Sequence, residues 1–173
     1  MEYPSLDDID LRLLDQLQRD ASRTNQQLAL DLHISAPTCL RRVQRLRAAG
    51  LIEREVALLA PERLAQVLGH GLQAVIEVSL DRQDAAALDA FEARTIADDA
   101  VQQCWRVSPG PDFVLVLHVR DMPAYLALAQ RLFTSDANVR NVKAFFSIKR
   151  AKFAPAVPLS TGRPAVVSST LSR

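Results

Sequence analysis

The sequence predicts an α+β chain in two parts, three short helices followed by a β-α-β-β-α-β unit. Three observations carry this. Apolar residues from Leu6 to Leu46 recur at helical spacing, broken by short polar turns. At Leu72 the period switches to two, the mark of a strand. The stretches after Leu72 then read strand, helix, strand, strand, helix, strand, the order of the ferredoxin-like split unit. The chain has 173 residues, 49% of them hydrophobic. That length allows one domain or two small ones, each with a core.

The first helix is expected within residues 1–20. Leu6, Ile9, Leu13, Leu14 and Leu17 share a face. Asp7, Asp8 and Asp10 fall in or near its first turn, where carboxylates complement the helix dipole. D-A-S-R-T-N (20–25) is a polar break. Thr24 or Asn25 can cap a second helix ending near Leu32, with Leu28, Ala29 and Leu32 inward. H-I-S (33–35) leaves room only for a tight turn. Ser35 caps a third helix, Pro37 is tolerated in its first turn, and A-A-G (48–50) ends it with Gly50 as a left-handed cap. Two helices joined by three or four residues form a helix-turn-helix. The expected DNA-binding domain is 1–52.

Residues 53–70 read as a linker, an extended strand and then a short helix with Pro61 at its start and Gly69 at its end. The second domain is expected at 71–153. Leu72, Ala74, Ile76, Val78 and Leu80 alternate along its first strand. Residues 83–96 are an Ala-rich helix with Leu88 and Phe91 on one side. V-Q-Q-C-W-R-V (101–107) is a second strand and S-P-G-P (108–111) a turn. D-F-V-L-V-L-H-V-R (112–120) is apolar on both faces, which predicts a central strand. Met122, Tyr125, Leu126, Ala129, Leu132 and Phe133 follow the helical rule, and 138–150 is the last strand. One helical layer cannot cover both faces of such a sheet, so a second copy of the chain is expected on the open face. Residues 154–173 are a Pro/Ser/Thr-rich tail.

Composition excludes several classes. No apolar run reaches about 18 residues, so no membrane span is expected. The opening M-E-Y-P-S-L-D-D lacks the pattern of a secretory signal. The two cysteines, Cys39 and Cys104, have neither disulfide-framework nor zinc spacing. The expectation is a cytoplasmic protein without metal, cofactor or catalytic residues. Net charge is only +1, so the distribution of charge is what informs.

That distribution singles out S-A-P-T-C-L-R-R-V-Q-R-L (35–46). It carries Arg41, Arg42 and Arg45, with Arg47 just beyond and no acidic residue between Ser35 and Gly50. On a helical wheel Thr38, Arg41, Arg42 and Arg45 fall on one side. Cys39, Leu40, Val43 and Leu46 fall on the other, and Arg47 stands apart near the helix end. The second helix of a helix-turn-helix enters the major groove with its N-terminal part against base edges. Arginine can bridge guanine or clamp phosphate, and threonine can touch a thymine methyl. Ser35 and the free amides beside it can meet a phosphate. The competing reading is a solvated basic face paired with the acidic first helix. Candidate DNA-binding residues are therefore Ser35, Thr38, Arg41, Arg42, Arg45 and Arg47, and the partner is double-stranded DNA.

L-D-D-I-D-L-R-L-L-D-Q-L-Q-R-D-A-S-R-T, S-A-P-T-C-L-R-R-V-Q-R-L-R-A-A-G-L-I and V-S-P-G-P-D-F-V-L-V-L-H-V-R-D-M-P-A-Y together resemble the Lrp/AsnC (feast/famine) transcriptional regulators, across residues 5–153. The resemblance implies a winged form of the helix-turn-helix and a C-terminal domain that senses a small molecule, usually an amino acid. It implies homodimers with sheets packed face to face, and assembly up to a homo-octamer. It also implies an effector site at the Gly-x-x-Asp turn between the second and third strands. Here that turn is Ser108, Pro109, Gly110, Pro111 and Asp112. Asp112 matches the acid, whereas Pro109 stands at the glycine position and lacks an amide donor. Asp112 could hold an ammonium group or simply cap the turn. G-L-I-E-R-E-V-A-L-L and K-R-A-K-F-A-P-A-V-P-L are similar to the branch controlling branched-chain amino-acid catabolism.

Two rival functions remain. A siroheme decarboxylase-like enzyme would share the two-part fold and need histidines converging on a tetrapyrrole, but His33, His70 and His118 lie in different elements. A low-specificity DNA-packaging protein would bind without distinguishing sequences.

Overall fold

The computed structural model describes residues 5–69 and 71–159. These form two compact units, one from residues up to 58 together with those from 153 onward, the other spanning 59–152.

The first unit contains α1 (Asp8–Arg19), α2 (Asn25–Leu32) and α3 (Ala36–Ala48). Each start is fixed by a side-chain cap. Asp7 accepts from the Asp10 amide at 2.9 Å while the Asp10 carboxylate accepts from the Asp7 amide. Thr24 and Gln27 form the same reciprocal pair at α2. Ser35 caps α3, with Pro37 in its first turn. Between α2 and α3 lie three residues. His33 takes a left-handed conformation (φ 55°) and its amide reaches back to α2, which reverses the chain within the available length. At the end of α3 Gly50 has φ 71°. The Leu51 amide bonds the Leu46 carbonyl and the Gly50 amide bonds that of Arg47, the two bonds of a Schellman motif. Leu13, Leu28, Ala29, Leu32, Cys39, Val43 and Leu46 form the core.

Three expectations in this unit change. Leu6 precedes α1 and is exposed. Leu40, placed by the wheel on the apolar side, is 41% exposed, because the buried stripe of α3 is narrower and runs through Cys39, Val43 and Leu46. The linker strand does not form. Residues 53–60 are exposed and irregular, with no strand pairing among the described residues.

The second unit contains α4 (Pro61–Leu68), β1 (Leu72–Leu80), α5 (Ala85–Ile96), β2 (Val101–Arg106), β3 (Phe113–Val119), α6 (Met122–Ala129) and β4 (Val139–Phe146). The strands form one antiparallel sheet in the order β2-β3-β1-β4, so β3 is internal as its two-sided apolar pattern required. Ala74, Ile76, Val78 and Leu80 of β1 face the helices with Phe113, Leu115 and Leu117 of β3, all fully buried. Phe91 of α5 packs on Phe113 with ring centroids 4.7 Å apart. On α6 the inward residues are Tyr125 and Leu128, while Leu126 and Met122 are exposed, contrary to the helical-rule expectation. A wider π turn follows over Gln130–Thr134, within which Leu132 and Phe133 are both buried, as expected.

Phe113 holds the sheet to α5 and is fully buried. Phe113→Ala is expected to lower stability by about 3–5 kcal/mol, read as a reduced urea midpoint at unchanged m-value.

Candidate DNA-binding surface and effector turn

The buried stripe of α3 fixes which side faces out. Opposite Cys39, Val43 and Leu46 stand Pro37, Arg41, Gln44 and Ala48, all exposed. Arg41 lies at the centre of this outward face and makes no ion pair among the described residues. Gln44, one turn on, was not singled out from the sequence. Its three-residue spacing from Arg41 was the available signal, obscured because the arginines alone drew attention.

The other predicted residues are engaged within the unit. Arg42 points along the flank toward α1, with 22% of its side chain exposed. Its Nη1 donates to Asp7 at 2.8 and 2.9 Å and to Asp10 Oδ1 at 2.7 Å. Arg45 donates to Asp10 Oδ2. Asp10 is only 1% exposed, so a buried carboxylate is bracketed by two guanidinium groups and the Asp7 amide. Arg47 pairs with Glu55. The Ser35 hydroxyl accepts from the Thr38 amide and lies 2.8 Å from the Thr38 hydroxyl. The pairing of basic helix with acidic helix is thus realised for Arg42 and Arg45 and not for Arg41. Asp10 could have been suspected from its place three residues before inward Leu13.

These bonds shift ionisation. The Asp10 amide, and after it the Arg42 guanidinium, hold the Asp7 carboxyl below its usual 3.8. Bonding first to Asp10 and then to Asp7 pushes Arg42 upward.

The β2–β3 turn presents Ser108, Pro109 and Gly110 at the surface, with a cis Ser108–Pro109 peptide and Gly110 at φ 121°. Asp112 is half-buried. Its Oδ2 accepts from the Leu80 amide at 2.7 Å and from Gln83 at 3.3 Å, while its own amide bonds the Val78 carbonyl. The carboxylate therefore closes the end of β1, and these partners lie outside the turn itself. Oδ1 takes no hydrogen bond from a described residue. His33 sits in the helix turn and His118 on β3, and His70 lies outside the described residues. No group of three or more His, Cys, Asp or Glu able to hold a metal occurs among the described residues. No helix among them is long and apolar enough to cross a membrane.

Comparison with known proteins bears on both units. The winged helix-turn-helix DNA-binding family matches residues 6–53, and the Lrp/AsnC ligand binding domain matches 73–157. A leucine-responsive regulatory protein of Rhizobium meliloti (strain 1021) is 38% identical over 85% of this chain and 92% of its own. The chain belongs to the Lrp/AsnC family. It is a DNA-binding transcriptional regulator with a helix-turn-helix unit and a ligand-binding α/β unit. The Bkd operon transcriptional regulator of Pseudomonas aeruginosa is 31% identical over 89% of this chain and 98% of its own. Among solved structures, a transcriptional regulator of Neisseria meningitidis in complex with L-Met superposes with a TM-score of 0.79 at 30% identity, covering 90% of this chain and 97% of that one.

The lowered Asp7 carboxyl sets a pH dependence. A carboxyl depressed in the folded state stabilises it above the unfolded value, and that contribution fades as pH falls through the folded value. The stability difference between the protein and its Asp7→Asn variant should therefore persist at pH 7 and close below about pH 3.8. Thermal melts from pH 7 to pH 2 check this. A gap that stays constant would assign Asp7 a capping role alone.

Proposed function

We propose that the protein regulates transcription by placing α3 in the major groove with Arg41 and Gln44 toward the bases, under control of an amino acid bound at the β2–β3 turn. It acts in this reading as a regulator and not through catalysis. The observation that carries it is the capped α3, entered through a three-residue turn, whose outward face holds an arginine with no ion pair among the described residues, followed one turn later by glutamine. Arginine matches guanine O6 and N7, and glutamine matches adenine N6 and N7. Ser35 and Thr38 stand at the helix start, where the phosphate backbone passes. Arg45 and Arg47 flank this face.

For the effector, support comes from Asp112. Oδ2 is engaged with the Leu80 amide, and Oδ1 remains for an ammonium group. The Neisseria meningitidis regulator bound to L-Met favours an amino acid. Pro109 contributes no amide donor, so Ser108 and the Gly110 amide are the remaining candidates for the ligand carboxylate. A second copy of the chain is the natural cover for the open sheet face, where Trp105 is 58% and Phe145 53% exposed beside Val75 and Val114. Such dimers would carry two copies of α3, and further assembly toward an octamer would add more.

Arg41→Ala and Gln44→Ala are each expected to weaken binding to the selected operator by about 1–3 kcal/mol with helix content unchanged. Operator selection from genomic fragments followed by titration measures this. Full affinity in both variants would overturn the α3 reading. Asp112→Asn keeps an acceptor for the Leu80 amide but removes the charge. It should retain DNA binding and lose the response to amino acids, measured by the same titration with and without them.

A further inference from the structure

We propose that Asp10 is a positioning residue for DNA recognition. It withholds Arg42 and Arg45 from the phosphate backbone and so limits the sequence-independent part of binding. The proposal deepens the function above and rests on α3 being the helix that meets DNA.

Four arginines crowd α3, yet three have acidic partners on the same unit. Arg42 is held by Asp7 and Asp10, Arg45 by Asp10, and Arg47 by Glu55. Two arginines and two aspartates in the α1–α3 cluster cancel in formal charge. Arg41 alone projects without an ion pair among the described residues. Asp10 dominates the cluster by its position. It is almost fully buried, and a buried carboxylate cannot give up its cationic partners to solvent without a large penalty. Asp7, at the surface, takes a second hold on Arg42 from outside.

The consequence concerns discrimination. Non-specific DNA affinity grows with the number of phosphates neutralised, and each adds about 0.9 to the slope of log affinity against log salt. Arginines occupied by Asp10 do not release counterions, whereas base contacts from Arg41 and Gln44 remain available. Removing the Asp10 charge would free Arg45 on the flank of α3 and leave Arg42 to Asp7 alone, giving the flank one net positive charge for any phosphate and raising binding to all sequences alike. Positioning of this kind lowers the background against which an operator is recognised.

The test is the salt dependence of binding to a random-sequence 30-base-pair duplex. Asp10→Asn preserves shape and one capping acceptor. It is expected to steepen the slope by about 1 per recognition helix, since Asp7 still pairs Arg42, and to reduce the ratio of operator to random affinity. Asp7→Asn keeps a good N-cap at an exposed site, so it folds even if the buried change does not. Its expected steepening is about 1 per helix. Adding Arg42→Gln to either variant should take back about 1. A merely structural role for Asp10 would weaken binding instead of steepening its slope. Arg41→Gln is the control for the underlying reading. If it lowers operator affinity while Asp7→Asn and Asp10→Asn both keep the salt slope of the unmodified protein, this inference is overturned. If Arg41→Gln leaves operator affinity unchanged, the assignment of α3 to DNA falls first.

Discussion

The DNA-binding unit turns on one constraint, a carboxylate buried at the junction of α1 and α3. Asp10 is an N-terminal helix residue whose presence in the first turn is favourable to the helix dipole. Its burial would be costly without compensation. The compensation comes from α3, as two guanidinium groups that must lie on the α1 side of that helix. This sets the rotation of α3 about its axis as firmly as the apolar stripe through Cys39, Val43 and Leu46. Arg41 and Gln44 face outward because Arg42 and Arg45 are turned to the flank.

The ligand-binding unit answers to a different constraint. An alternating strand has two faces, and α5 and α6 cover only one of them. The covered face is built from fully buried residues of β1 and β3. On the other face aromatic residues of the edge strands flank valines of the central pair, at matched register across β2–β3 and β1–β4. The turn that closes β2–β3 starts at this sheet and is fastened to β1 through Asp112. A ligand group that competes for that carboxylate would act directly on the end of β1.

Much of this was legible in the sequence, and the failures share a cause. Periodicity gave the elements, and cap residues gave their ends, because Ser35, Thr24 and Gly50 act through local bonds. The central place of β3 followed from its apolar pattern. What escaped depended on partners distant in the chain. A wheel assigns Leu40 and Arg42 to opposite hemispheres but not to solvent or protein, and the structure turns Leu40 outward and Arg42 toward α1. Asp10 read only as a first-turn carboxylate complementing the helix dipole, because its arginines lie 32 and 35 positions away. Leu126 failed because the buried stripe of α6 runs through Tyr125 and Leu128, narrower than the apolar set suggests. Asp112 was seen as a candidate ligand group, and its tie to Leu80 became visible only when β1 and β3 were paired.

The charge arrangement of α3 bears on how a regulator of this design stays responsive. A recognition helix with one uncompensated arginine binds DNA weakly alone, since few phosphates are neutralised. Affinity then depends on several such helices engaging one duplex together, where linkage raises effective concentration without new contacts. Under that condition the spacing of α3 copies matters more than the strength of each. A ligand that alters assembly would alter operator affinity steeply, whereas a strongly basic helix would hold DNA whatever the assembly did. Under the proposed function, neutralising Arg42 and Arg45 within the unit would leave control with the ligand-binding unit.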